Sequence, residues 1–263
     1  TMTNTLKAPD PKPEPPKTAA SPLLAFYRSS MGKKLITGFT GLALVTFVLV
    51  HMAGNLLLFV GRDAYNAYAL LVSNFHVVYY AFELALTAIV LLHAWVGIEI
   101  FWRRRQARLQ GYSTYQSAGG TSYQTLSSRT MIITGSVLAV FWVTHLMTFR
   151  FGTYYTTELG GDTVRDLARL VIEKFQALPY VVGYTVVLGL LASHLRHGFW
   201  SALQSIGLLN REIRPLAYGT SAVVGVGIAA GFLLLPWAIY LGLVSWGRSH
   251  LNRFDVVNPG NSI

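Results

Sequence analysis

The chain of 263 residues contains no cysteine. That absence excludes a disulfide framework, thiolate-ligated zinc, an iron–sulfur cluster and a covalently attached c-type haem, all of which need thiols. A redox metal in this chain must therefore sit on His, Met or carboxylates. Charge is scarce too: Asp, Glu, Lys and Arg make up 12% of the residues, against roughly 25% in ordinary soluble domains, while hydrophobic residues reach 52%. With a mean hydropathy of +0.44, this is the composition of a membrane protein. Acidic residues are the rarer sign, 11 against 21 Lys and Arg, for a net charge of +10. Such a surplus is common in nucleic-acid binders, but its placement here follows membrane topology, and no nucleic-acid partner is expected.

What is present is a set of long apolar runs. A spanning helix needs about 20 mostly apolar residues to cross a hydrocarbon core about 30 Å thick. Five stretches qualify: Leu35 to Val60, Val77 to Trp102, Thr130 to Phe149, Pro179 to Leu203 and Ala217 to Trp246. An all-α membrane protein is expected, with five transmembrane helices in a bundle. Asp162 to Leu178 carries Val164, Leu167, Ala168, Val171, Ile172 and Phe175 at helical spacing among charged residues, and reads as an additional amphipathic interfacial helix on the outer side. Gly227 and Gly231 form a GxxxG pair suited to close helix packing.

The segment 1–22 is Pro-rich, charged and without apolar periodicity, so it reads as a disordered cytoplasmic tail. Residues 23–250 would form the membrane domain and 251–263 an outer C-terminal tail. No charged n-region with a short apolar run and a small-residue cleavage site opens the sequence, so no cleaved signal peptide is expected. Basic residues cluster unevenly: Arg28, Lys33 and Lys34 before helix one; Arg103, Arg104, Arg105, Arg108 and Arg129 between two and three; Arg196, Arg211 and Arg214 between four and five. The positive-inside rule places these on the cytoplasmic side of the cell membrane, with the N-terminus inside and the C-terminus outside. A basic inner face of this kind can also dock a soluble partner.

Of the seven histidines, His51, His93, His145 and His194 put one inside each of helices one to four, and His197 is a second in helix four. Ionisable groups at membrane depth are expensive, so function is the default explanation. At about 1.5 Å per residue, His51 lies roughly 13 Å from the outer end of helix one and His145 within roughly 10 Å of the outer end of helix three. His93 and His194, on helices of opposite direction, each lie about 13 Å from the cytoplasmic end. Two layers of two imidazoles are the geometry for two irons, each held by axial nitrogens from two helices. Without cysteine the macrocycle would be bound non-covalently, as haem b. Gly97 follows His93 and Gly198 follows His194 by one helical turn on the same face, where a missing side chain admits either a flat macrocycle or a neighbouring helix. Gly54 and Asn55 follow His51 in a similar place.

The motifs His93-Ala-Trp-Val-Gly97, His51-Met-Ala-Gly-Asn55 and the stretch Ser193-His-Leu-Arg-His-Gly-Phe-Trp-Ser-Ala-Leu-Gln-Ser-Ile-Gly-Leu-Leu-Asn210 resemble the di-haem cytochrome b membrane-anchor subunit of succinate:quinone oxidoreductases. The similarity covers about residues 28 to 245. It implies a proximal haem b on His93 and His194, a distal one on His51 and His145, and a flavoprotein subunit and an iron–sulfur subunit as partners. It implies electron transfer to a membrane quinone near the outer side, with menaquinone as the expected species, and a place in succinate dehydrogenase or fumarate reductase. His197 could compete with His194 as ligand, but the spacing of four to Gly198, matching His93 to Gly97, favours His194 and leaves His197 as a propionate or quinone neighbour or a packing residue. Arg28, Ser30, Lys33, Lys34 and Arg129 are placed to meet proximal-haem propionates or the partner subunit, and positive-inside placement explains them equally well. Glu83 is either paired to a nearby Arg or backbone group or exchanges protons with quinone. A di-haem anchor of a hydrogenase or formate dehydrogenase is the alternative within redox proteins. A transporter fits less well, because no paired repeat halves with broken helices are visible.

Overall fold

The computed structural model describes residues 21–107 and 126–244. Nearly all of the expected N-terminal tail, the C-terminal tail, His250, Arg108 and the Trp246 end of helix five lie outside the described residues. The elements in chain order are α1 Pro22–Arg28, α2 Ser30–Leu56 with a 3-10 turn Leu57–Phe59, α3 Arg62–Asn74, α4 His76–Gln106, α5 Leu126–Arg129, α6 Met131–His145 with a π turn Leu146–Arg150, β1 Thr156–Leu159, β2 Asp162–Arg165, α7 Leu167–Phe175, α8 Leu178–Ser205 and α9 Arg214–Tyr240. Five helices, α2, α4, α6, α8 and α9, are long and apolar enough to cross a membrane. The chain is an all-α, multi-pass membrane bundle.

Helices α2, α4, α6 and α8 contact one another in a closed ring, and α9 packs outside it against α8 and α2. Small residues set these approaches. A Cβ on Gly225 would lie 2.6 Å from the Ala192 carbonyl oxygen, so α9 and α8 meet backbone to backbone there, and one on Gly38 would lie 3.6 Å from the Ala202 Cα, bringing α2 onto α8. Of the GxxxG pair, one glycine packs closely as expected and the other does not. Nothing lies within 4 Å of a Cβ at Gly227, and Gly231 makes room for the Met52 thioether of α2. Apolar side chains such as Val77, Leu91 and Val140 remain exposed on the outer faces of α4 and α6, as suits lipid contact.

The expected amphipathic helix is present but shorter, and its first residues are a strand. Leu159 pairs with Asp162 across Gly160 and Gly161, whose φ values of 64° and 94° meet the requirement of a two-residue hairpin turn for positive φ at both positions. The helix then starts at Asp166, whose side chain accepts from the Arg169 amide. Its apolar side is turned onto α3, α8 and α9, with Ala168, Leu170 and Ile172 fully buried. Leu58, Tyr65, Phe175, Val181, Leu235 and Ile239 belong to the same cluster, which closes this end of the bundle.

Helix α3 was not foreseen from sequence. Buried Asn66 donates to Asp166 Oδ1 at 2.9 Å and accepts from the Ala168 amide at 3.0 Å, while Arg62 donates to Asp166 Oδ2 at 2.6 Å. These bonds fasten α3 to α7. At the opposite end, buried Lys33 pairs with Glu99, which also accepts from the Tyr27 hydroxyl at 2.8 Å and from Arg103 Nε at 3.2 Å. Glu99 thereby joins α1, α2 and α4 around one carboxylate.

Candidate cofactor site

The ring of four helices encloses a cavity of about 2210 Å³ that runs from Lys33 and Arg129 at one end to Glu83, Arg150 and Arg165 at the other. Small-molecule pockets are commonly about 300–1,000 Å³, so this space accommodates more than one large ligand. His51, His93, His145 and His194 all line it, as does His197.

The histidines meet in two pairs. His93 of α4 faces His194 of α8 with ring centroids 6.4 Å apart, and His51 of α2 faces His145 of α6 at 5.8 Å. These are the pairs expected from helix depth. A metal bonded to one nitrogen of each ring at about 2 Å would set the centroids about 6 Å apart. Along α2, the ten residues from Gly41, which touches the His93 ring, to His51 separate the two layers by about 15 Å.

Hydrogen-bond partners favour one tautomer at one pair. Thr40 Oγ1 lies 3.1 Å from His93 Nδ1 and donates its single hydrogen to the Ile36 carbonyl at 2.7 Å. Thr134 Oγ1 lies 3.0 Å from His194 Nδ1 and donates to the Thr130 carbonyl at 3.1 Å. With each hydroxyl hydrogen on a carbonyl of its own helix, each Nδ1 is the donor of the imidazole–threonine bond. The proton of a neutral imidazole then sits on Nδ1 and the Nε2 lone pair is left for a metal. The residue after each threonine is glycine, and a Cβ on Gly41 or Gly135 would come within 3.2 Å or 3.3 Å of the imidazole Cε1. A glycine there lets the helix backbone approach the ring edge.

At the second pair, His145 Nδ1 lies 2.8 Å from the Tyr184 hydroxyl. His51 is held by rings, with Phe47 stacked at 5.4 Å and Phe232 at 5.9 Å.

The glycines divide. Nothing lies within 4 Å of a Cβ at Gly97 or Gly198, and both border the cavity, so their lack of a side chain leaves open space beside the histidines instead of admitting a neighbouring helix. A Cβ on Gly54 would lie 2.6 Å from Tyr68, so that glycine seats α3 against α2. His197, Ser30 and Arg129 border the cavity near the His93 layer; Arg28 is exposed at the end of α1 and is not among the lining residues. Lys33 lines the cavity but has Glu99 as its partner. Glu83 is paired: Arg150 donates to it through Nε at 2.5 Å and through a terminal nitrogen at 3.1 Å.

Thr40, Thr134, Gly41, Gly135, Tyr184, Arg150 and Arg165 were not singled out from sequence. One signal was available for the first four. Thr40 precedes His51, and Thr134 precedes His145, by the same eleven positions, each followed by glycine. Arg165 donates to the Phe149 carbonyl at 2.8 Å and keeps its buried Nε without a hydrogen-bond partner among the described residues. Burial lowers its pKa from the usual guanidinium value. A cation so placed on the cavity wall suits an anionic group inside it.

Among the described residues, no group of three or more His, Asp or Glu is arranged to cage a metal. The donor set is therefore two imidazole pairs in an apolar slot with cations at both ends, which fits haem b. Comparison with family models, curated proteins and solved structures finds no match to the chain.

Proposed function

We propose that the chain is a di-haem cytochrome b that anchors a flavoprotein subunit and an iron–sulfur subunit at the membrane and passes electrons to quinone, as the membrane subunit of a succinate:quinone oxidoreductase. The observation that carries the haem reading is the pair of cross-helix imidazole contacts, 6.4 Å and 5.8 Å between centroids, facing one continuous cavity. When bound, two b haems supply one-electron carriers at two depths of the membrane. The chain's own residues bind and orient them. His93 and His194 would hold one haem, with Thr40 and Thr134 fixing their Nδ1 protons; His51 and His145 would hold the other. Gly97 and Gly198 leave space for the macrocycle of the first. Arg129 at one end and Arg165 at the other supply positive charge for propionates, while Arg150 is already paired with Glu83.

The basic end of the bundle, with Arg103, Arg104, Arg105 and Arg129, would face the cytoplasm by the positive-inside rule and receive the soluble subunits. The succinate-specific assignment is supported by the His51, His93 and His194 motifs, and menaquinone is the quinone that this reading favours. The test is a reduced-minus-oxidised spectrum and a haem count on the purified chain. A b-type band with two haems per chain is expected, and absence of such a band would sink the proposal.

A further inference from the structure

A second cavity, of about 640 Å³, lies between α6 and α8 on the outside of the ring. Val140, Thr144 and Thr148 line it from α6, and Tyr180, Gly183 and Val187 from α8. Its mouth faces the lipid side, since Val140 is 66% exposed and Val186, beside it on α8, 58%. Its floor is made of His145 and Tyr184, which also line the central cavity. The groove is thus a lateral approach from the membrane to one imidazole of the outer pair.

Tyr184 is held in place by rings: Phe175 edge-on at 4.8 Å, Phe141 at 5.0 Å and Phe149 at 6.3 Å. If His145 binds iron through Nε2, its Nδ1 carries the proton and donates to the Tyr184 oxygen across 2.8 Å. The tyrosine hydroxyl hydrogen is then left over. The threonines of the other pair dispose of theirs on helix carbonyls, but among the described residues no acceptor receives the one from Tyr184. A ligand that enters from lipid, is mostly apolar and carries one hydrogen-bond acceptor at its tip would complete this site. Gly183, with nothing within 4 Å of a would-be Cβ, leaves the space for it.

We propose that the α6–α8 groove binds the head of a lipid-soluble quinone, with one quinone carbonyl accepting from the Tyr184 hydroxyl and the isoprenoid tail leaving past Val140 and Val186. This rests on the haem reading, because that reading assigns the His145 proton. An acyl chain would fill the apolar part of the groove but has no acceptor for the hydroxyl, which is why a quinone is favoured over lipid.

The test uses the full-length chain, purified in detergent, and a photoactivatable azido-naphthoquinone with a short alkyl tail. Illumination followed by peptide mass spectrometry is expected to label 140–148 or 179–187. Equilibrium binding of the same probe should weaken about tenfold in Tyr184→Phe, the order of one lost hydrogen bond. It should weaken at least as much in Gly183→Leu, which fills the groove without touching the hydroxyl. Label confined to the Glu83 and Arg150 region, or Gly183→Leu binding as tightly as wild type, would overturn the groove. The haem count on the same samples keeps the two readings apart: two haems with no groove labelling removes only the quinone site, whereas groove labelling without a b-type band removes the haem assignment and, with it, the Tyr184 hydroxyl as the group that binds the quinone.

Discussion

At the scale of single residues, the decisive groups are two threonines. A threonine hydroxyl has one hydrogen, and in Thr40 and Thr134 a carbonyl of the preceding turn is in reach of it, which leaves an oxygen to accept from the imidazole. Replacing Thr40 or Thr134 by Val keeps the branched shape and removes that acceptor. Loss of such a supporting bond typically lowers metal affinity about 10- to 100-fold. The expected outcome is selective loss of the haem on His93 and His194 during dilution in detergent, followed by haem content, with the His51 and His145 haem retained. Equal retention of both would contradict the tautomer assignment. Gly97→Leu and Gly198→Leu place a side chain in open space and not in a helix contact. Each should therefore leave an intact bundle by circular dichroism while haem falls from two to one per chain. A full complement of haem in both variants would show that the space is not the macrocycle's.

At the scale of elements, the spans were legible in the sequence because length and apolarity alone define them. The small outer cap was not. The segment from Asp162 to Leu178 has helical spacing throughout, but Gly160 and Gly161 take positive φ and start a hairpin, so Asp162–Arg165 pair as a strand before the helix can begin. Helix α3 carries few long apolar runs and is held by polar bonds from Asn66 and Arg62 to Asp166, contacts that no local pattern reveals. The same limit applies to the site. The four histidines stand out because intramembrane imidazoles are rare, whereas the roles of Tyr184 and Arg165 depend on which helices meet. Asp166→Ala removes the cap of α7, worth about 1 kcal/mol, and leaves the buried Asn66 amide without its partner, which costs about 1–3 kcal/mol. At about 2–4 °C per kcal/mol for a chain of this size, melting should fall by roughly 5–10 °C. An unchanged melting temperature would show that α7 is not fastened through Asp166.

At the scale of the whole molecule, the near-absence of charge and cysteine and the excess of basic residues acquire one explanation. The outer apolar surface suits lipid, the four-helix ring surrounds a cavity beside packed clusters at its end and against α9, and cations border both ends of that cavity. If the cavity holds haem as proposed, the bundle should be stabilised by it, by mass action on the folded state. Chain produced under haem limitation is accordingly expected to melt at a lower temperature and to be cut faster by protease than chain supplied with haem. Identical melting and cleavage would argue that the cavity is not a haem site.

The central claim is that haems are held by pairs drawn from helices of like direction, α4 with α8 and α2 with α6. The most direct measurement is the haem count of double histidine variants. His93→Ala with His194→Ala removes both ligands of one pair and should leave one haem per chain, as should His51→Ala with His145→Ala. His93→Ala with His145→Ala breaks both pairs and should leave none. Two unaffected haems in any of the three, or one haem surviving the mixed variant and none the matched ones, would contradict the account.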